Sequence, residues 1–310
     1  MNRITRRRLI TVAAAAAVLP GRRGHADAVE AVWRGRALGA EATIKLIGAP
    51  DRAEGAIAAA QRTLASVEAQ FSLYRASSAL SRLNRTSRLI GPDASFLSLM
   101  ASCGRVHDLT DGRFDPTLQP VWALLAEHRG RPDPAALETA RRRVGWQRVA
   151  VTAQAVHLTG PGMALTLNGI AQGYATDRVA AVLAAHGFEA VLVDIGELKG
   201  AGRPWRVGIA DPVAGLIEER RLDGRAIATS SPASLAFGQG GIGHILDPSG
   251  RTEPRWRTVS VEADSATLAD GLSTAMCLMA PTAIRAAMAA EPTIRRVVAV
   301  GSDGAVNRFG

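Results

Sequence analysis

Residues 268–276 read LADGLSTAM. Ala269, Gly271, Leu272, Ala275 and Met276 suit a close-packed helix, which the pattern extends over 266–279. Just upstream, TVSVEAD (258–264) has the alternation of a strand. Downstream, a second short helix (282–290) leads to IRRVVAV (294–300) and AVNRF (305–309), a hairpin about the Ser302-Asp303-Gly304 turn. A buried helix set among strands predicts an α+β fold. The same stretch poses a chemical question, because Asp270 and Thr274 share one helix face with Ser273 between them. A buried carboxylate is costly without a partner. Either these oxygens hold a hard cation such as Mg²⁺, or a neighbouring loop bonds Asp270 while Thr274 bonds its own i−4 carbonyl.

Working back toward the N-terminus, the strand regions are GHILDP (243–248), AIATSS (226–231), WRVGIADP (205–212) and the strongly apolar AVLVDIG (190–196). A helix over 170–186 is ended by Gly187, and RVAVT, AVHLT and ALTLN (148–168) read as short strands. Residues 94–145 form a mostly helical block broken at Asp111-Gly112, Pro116 and Pro132. Residues 71–85 read as turn, 51–70 as helix and 31–48 as strands. With no repeat and no low-complexity linker, residues 29–310 form one domain: mixed β-sheets packed by helices, with 94–145 as a helical insertion.

The first 28 residues stand apart. A basic start, an apolar run from Leu9 to Leu19 and Ala26-Asp27-Ala28 make the pattern of an export signal. Thr5-Arg6-Arg7-Arg8-Leu9 fits its twin-arginine form, which delivers folded proteins to the periplasm. The run is too short to span a bilayer, so stable membrane insertion is not expected. These 28 residues carry six arginines and one acid, +5 of the formal +9, which leaves about +4 for the rest. Basic runs such as Arg141-Arg142-Arg143 then read as a solvated helix face, and nucleic acid is not implied. Cys103 and Cys277 could pair in an oxidising compartment or stay buried as thiols.

No G-x-S-x-G, H-E-x-x-H or Walker loop occurs, nor a G-x-G-x-x-G after a strand. Glycine and small polar residues instead gather at strand ends: 165–177, 193–202, 228–234 and 243–250. Such turns bring backbone N–H groups close to an anion, typically phosphate. Together with the Asp270 stripe they suggest an anionic ligand held by backbone and a hard metal.

The ordered series FSLYRASSALSRLN, GRFDPTLQPVW, NGIAQGYATD, ATSSPAS, GHILDPSG and ADGLSTAM resembles the ApbE family, from about Trp33 to the C-terminal hairpin. Those proteins are Mg²⁺-dependent FAD:protein FMN transferases of the bacterial periplasm. The resemblance implies metal ligation by Asp270, Ser273 and Thr274 with the Gly169 carbonyl. It implies FAD contacts at Leu38, Tyr74, Arg113, Phe114, Asp115, Thr166, Gln172 and Leu246, with His244 as the base. Three departures accompany it. Many members carry Asp where this chain has Thr166, Lys where it has Gln172, and Gly-Gly-Asp where it has Ile195-Gly196-Glu197. The finer likeness is to the NosX branch, associated with nitrous-oxide respiration, for which a NosR-like protein is a candidate acceptor.

The implied chemistry is attack of an acceptor Thr or Ser hydroxyl on the FMN-side phosphorus of FAD, with AMP leaving. Positioning and charge neutralisation carry such transfers. Two alternatives use the same groups: a flavin-binding carrier that performs no transfer, and an FAD pyrophosphatase in which water attacks.

Overall fold

The computed structural model describes residues 29–238 and 241–310. The export-signal reading of residues 1–28 lies outside them. Eight strands form the main sheet, in spatial order Val29–Ala37, Ala40–Gly48, Ala190–Asp194, Leu198–Ala201, Arg225–Ser230, Trp256–Ala263, Ile294–Gly301 and Val306–Phe309. The strand-and-helix composition is that of the α+β class. The sheets expected to be mixed are antiparallel at every pairing among the described residues. The C-terminal connection shows how. Two successive helices, Ala266–Met276 and Pro281–Ala290, join strand Trp256–Ala263 to strand Ile294–Gly301. A pair of helices returns the chain to the end of the sheet it left, whereas one crossover helix gives a parallel neighbour.

Both faces of this sheet are covered, which is why AVLVD has no polar alternation. Val191 and Val193 join the large core beneath helices Pro50–Phe71, Ala171–Ala185 and Ala266–Met276. Leu192 faces the other way, into a smaller core under the hairpin of Trp205–Asp211 and Gly215–Leu222. Val297 and Val298 divide in the same manner. In the helical block, Ala94–Leu109 buries Phe96, Leu99 and Met100 in the main core. Gln119–Glu127 and Pro134–Arg141 pack instead around Phe237, with Leu246 against them, in a satellite cluster. Among the described residues no helix is long and apolar enough to cross a membrane.

Three stretches differ from the sequence expectation. Residues 164–168 are not a strand: the Asn84 side chain takes the ladder's place, its Nδ2 donating to the Leu165 carbonyl and its Oδ1 accepting the Leu165 N–H. Residues 243–248 form an irregular loop held by one bridge between Ala236 and Gly243. Residues 71–85 run into a helix, Ala79–Thr86, which starts because the Ser78 hydroxyl accepts the Ser81 N–H and which buries Leu80 and Leu83.

Candidate functional site

Helix Ala266–Met276 is fixed at its start by two caps. Ser265 Oγ accepts the Leu268 N–H. Asp177, on helix Ala171–Ala185, accepts the N–H groups of Ala266 and Thr267 and the hydroxyls of Ser265 and Thr267. Lys199 Nζ balances that carboxylate at 2.6 Å. One turn further on, Asp270 Oδ2 accepts the Gly173 N–H at 2.9 Å. The helices touch so closely there that a Cβ on Gly173 would lie 2.2 Å from the Ala266 carbonyl oxygen.

Asp270 opens onto a cavity of about 310 Å³. Its walls come from all the Gly-rich strand ends singled out above and from the Leu38 turn. Leu38 and Gly39 both have positive φ, +48° and +82°, the two-residue hairpin turn of the primed type. A leucine there is strained, and its N–H is held by Glu68 Oε1 at 2.9 Å.

Of the residues singled out in the sequence, Leu38, Tyr74, Arg113, Phe114, Asp115, Thr166, Gly169, Gln172, His244, Leu246, Asp270 and Thr274 line this one cavity. Ser273 does not. It is fully buried, and its hydroxyl bonds Ser230 Oγ at 2.8 Å and the Asp270 carbonyl at 3.0 Å. Its own turn of helix points it into the packing, so it supports the wall that Ser230 presents. Asp115 lines the cavity, but its carboxylate is committed to Thr117 and the Trp146 N–H. Arg113 pairs with Asp247 at 3.0 Å. Tyr74 is 61% exposed at the mouth, an open aromatic face beside a wall of Phe71, Leu73 and Trp122.

The acidic end is larger than the sequence suggested. Glu197, buried and on the same wall, accepts the Thr229 N–H at 3.2 Å. Burial pushes the Asp270 carboxyl up to about 7. Burial and the neighbouring Asp270 push Glu197 well above the usual carboxylate range. Asp194, two residues before Gly196, is raised by burial to about 6. The signal for Glu197 was its place in a Gly-rich strand end, but its distance from Asp270 in sequence hid the pairing.

The oxygens at this end suit a hard divalent cation: the carboxylates of Asp270 and Glu197, the Thr274 hydroxyl and the backbone at Gly169. A Cβ on Gly169 would lie 3.1 Å from Thr274 Oγ1, so this backbone and that hydroxyl are close neighbours. Among the described residues no group of three or more His, Cys, Asp or Glu could hold a metal by itself, so an ion here would take hydroxyl, carbonyl and water oxygens besides the two carboxylates. The donor set therefore fits an ion such as Mg²⁺, which keeps waters and takes one or two carboxylates.

His244 lines the same cavity. Its Nδ1 lies 3.1 Å from the Pro232 carbonyl oxygen and 3.2 Å from that of Leu235. Both neighbours only accept, so Nδ1 carries the proton and Nε2 is left as an acceptor. Burial lowers the imidazole below its ordinary value, against the pull of the two carbonyls. The shift favours the neutral ring. A base, two carboxylates and an aromatic side chain in one cavity can hold a cation and a ring and deprotonate a hydroxyl.

Comparison with known proteins agrees. A sequence profile described as the ApbE family matches residues 38–298. A Vibrio cholerae protein named FAD:protein FMN transferase is 31% identical over 270 residues, covering 79% of this chain and 80% of its own length. A Salmonella typhimurium protein of the same name is 28% identical over 236 residues, covering 67% and 66%. The structure titled flavin transferase ApbE from Vibrio cholerae superposes with a TM-score of 0.79 at 27% identity, over 91% of this chain and 97% of that one. The apo flavinyl transferase ApbE of Pseudomonas stutzeri gives 0.77 at 29% identity, over 91% and 94%.

Proposed function

The chain belongs to the ApbE family, and from that premise we propose that it is a Mg²⁺-dependent FAD:protein FMN transferase. One observation carries the reading: His244, with Nε2 unprotonated, faces the same cavity as Asp270. The cavity's open aromatic, Tyr74, gives the isoalloxazine or adenine ring a face to stack on. Arg113 and the backbone of the Gly-rich turns meet the pyrophosphate, and Gln172 offers an amide where a charge is absent. Asp270, Thr274 and the Gly169 carbonyl would hold Mg²⁺, which supplies neutralisation of phosphate charge.

In the reaction, the acceptor's Thr or Ser oxygen bonds to the FMN-side phosphorus while the bond from that phosphorus to the AMP phosphate oxygen breaks. His244 Nε2 takes the hydroxyl proton, and AMP leaves with the bridging oxygen. No covalent enzyme intermediate is needed. The finer reading is a periplasmic enzyme of the NosX branch, exported through Arg6-Arg7, that flavinylates a NosR-like protein in nitrous-oxide respiration. It is supported by the sequence likeness and the leader pattern.

Incubation with FAD, Mg²⁺ and a candidate acceptor domain, followed by intact mass and AMP release, tests the reading. Transfer adds the mass of FMN to the acceptor, less water, with one AMP per event. AMP without acceptor modification means hydrolysis, and intact bound FAD means a carrier; either outcome overturns it. For export, replacing Arg6 and Arg7 by lysine should leave precursor in the cytoplasm, and normal processing would overturn the twin-arginine route.

A further inference from the structure

We propose that Glu197 supplies a second carboxylate to the cation site centred on Asp270, holding the ion directly or through one of its waters. This rests on the cation reading above and adds a ligand to it. Glu197 is 5% exposed and Asp270 3%, and both face the cavity. Each carboxylate has one backbone donor, on Oε2 from Thr229 and on Oδ2 from Gly173. Among the described residues, Glu197 Oε1 and Asp270 Oδ1 accept no hydrogen bond, and neither is an enclosed orphan, so both are left to the cavity. Two adjoining, largely buried carboxylates repel one another unless a proton or a shared cation relieves them.

Among the described residues no side-chain cation does so. Arg75 and Arg113 line the cavity but pair with Glu68 and Asp247. Lys199 is taken by Asp177. Gln172 lies against Gly196, next to Glu197, and offers a neutral amide. The position of Glu197 is prepared as well: its carbonyl accepts the Thr176 hydroxyl and the Ile195 N–H, each at 3.2 Å. It therefore presents its free oxygen from a fixed loop, at no further ordering cost when an ion arrives. Mg²⁺ is commonly held through one or two carboxylates with waters completing the shell.

The test is binding of Mn²⁺ alone, without FAD, measured by calorimetry and by the signal of free Mn²⁺. Glu197→Gln keeps the shape and an acceptor for Thr229 while removing the charge. It should weaken Mn²⁺ roughly 10–100-fold, as should Asp270→Asn, with His244→Asn binding as wild type does. The gain in Tm on adding Mg²⁺ should shrink in parallel. If Asp270→Asn loses the ion and Glu197→Gln does not, the Glu197 ligand is overturned while the cation reading stands. If neither variant weakens binding, both fall. Should Glu197→Gln fail to fold, Glu197→Asp keeps the charge but withdraws it by one methylene, and wild-type affinity in that variant would overturn the assignment.

Discussion

The N–H of Gly173 and Oδ2 of Asp270 meet at 2.9 Å across the contact of two helices. This bond answers part of the question posed by a carboxylate in an apolar helix: one oxygen is held by the neighbouring backbone, and the other is left to the cavity. The contact also dictates the residue at 173. An added Cβ would lie 2.7 Å from Asp270 Cβ as well as against the Ala266 carbonyl. Gly173→Ala should therefore separate the helices, costing about 1–3 kcal/mol as overpacking does, and should displace Asp270. Thermal unfolding and Mg²⁺ dependence of transfer, measured together, check both effects. An alanine variant with unchanged Tm and activity would contradict the packing described.

His244→Asn keeps a donor for the two carbonyls but removes the accepting Nε2. FAD binding should persist, since the residues proposed to hold the cation and the phosphates are untouched. Transfer should slow by roughly 10²–10⁴-fold, the usual cost of losing a general base. AMP release and acceptor mass, followed with FAD affinity, separate the two effects.

The pH profile follows from the direction of the His244 shift. Burial holds its folded pKa below the ordinary value of about 6.5. The base form is then present throughout neutral pH and is lost only as pH falls through that lowered value. At saturating Mg²⁺, kcat/KM should be level above about pH 7 and decline only below about pH 6.5. A limb centred in the alkaline range would assign the proton to another group.

Asp177→Asn tests the cap that joins the helices. The carboxylate accepts from Ala266 N–H, Thr267 N–H, two hydroxyls and Lys199. An amide turns one accepting oxygen into a donor facing donors and leaves Lys199 without its ion pair. Loss of hydrogen bonds to a charged group costs about 1.5–3 kcal/mol. A fall in Tm with weakened Mn²⁺ affinity is expected, because the turn that carries Asp270 hangs from this cap. Denaturant unfolding gives the first quantity and Mn²⁺ titration the second.

Periodicity and punctuation were enough to place the helices at 50–71 and 171–185 and the terminal hairpin within a residue of where they lie, and to start the helix at 266–276 correctly while running it three residues too far. Those signals are local. Helix faces and two-residue turns are set by neighbours three or four positions apart. The motif series singled out thirteen candidate residues, and the tertiary structure brings twelve of them to one cavity. Local signals failed where a distant partner decides. Residues 164–168 look like a strand, but Asn84 supplies the ladder bonds that a second strand would have given. Ser273 shares a stripe with Asp270 in sequence, yet its hydroxyl is turned to Ser230.

The amino-acid sequence thus determined which elements form and which residue types are available for phosphate and cation chemistry. The antiparallel order of the sheet, the proton on His244 Nδ1 and the pairing of Glu197 with Asp270 were decided only in three dimensions. Each depends on groups far apart in the chain that folding brings together in a largely buried setting. Burial converts the nearness of two carboxylates, or of an imidazole and two carbonyls, into a charge state. No one-dimensional pattern records which side chains will share a dry wall.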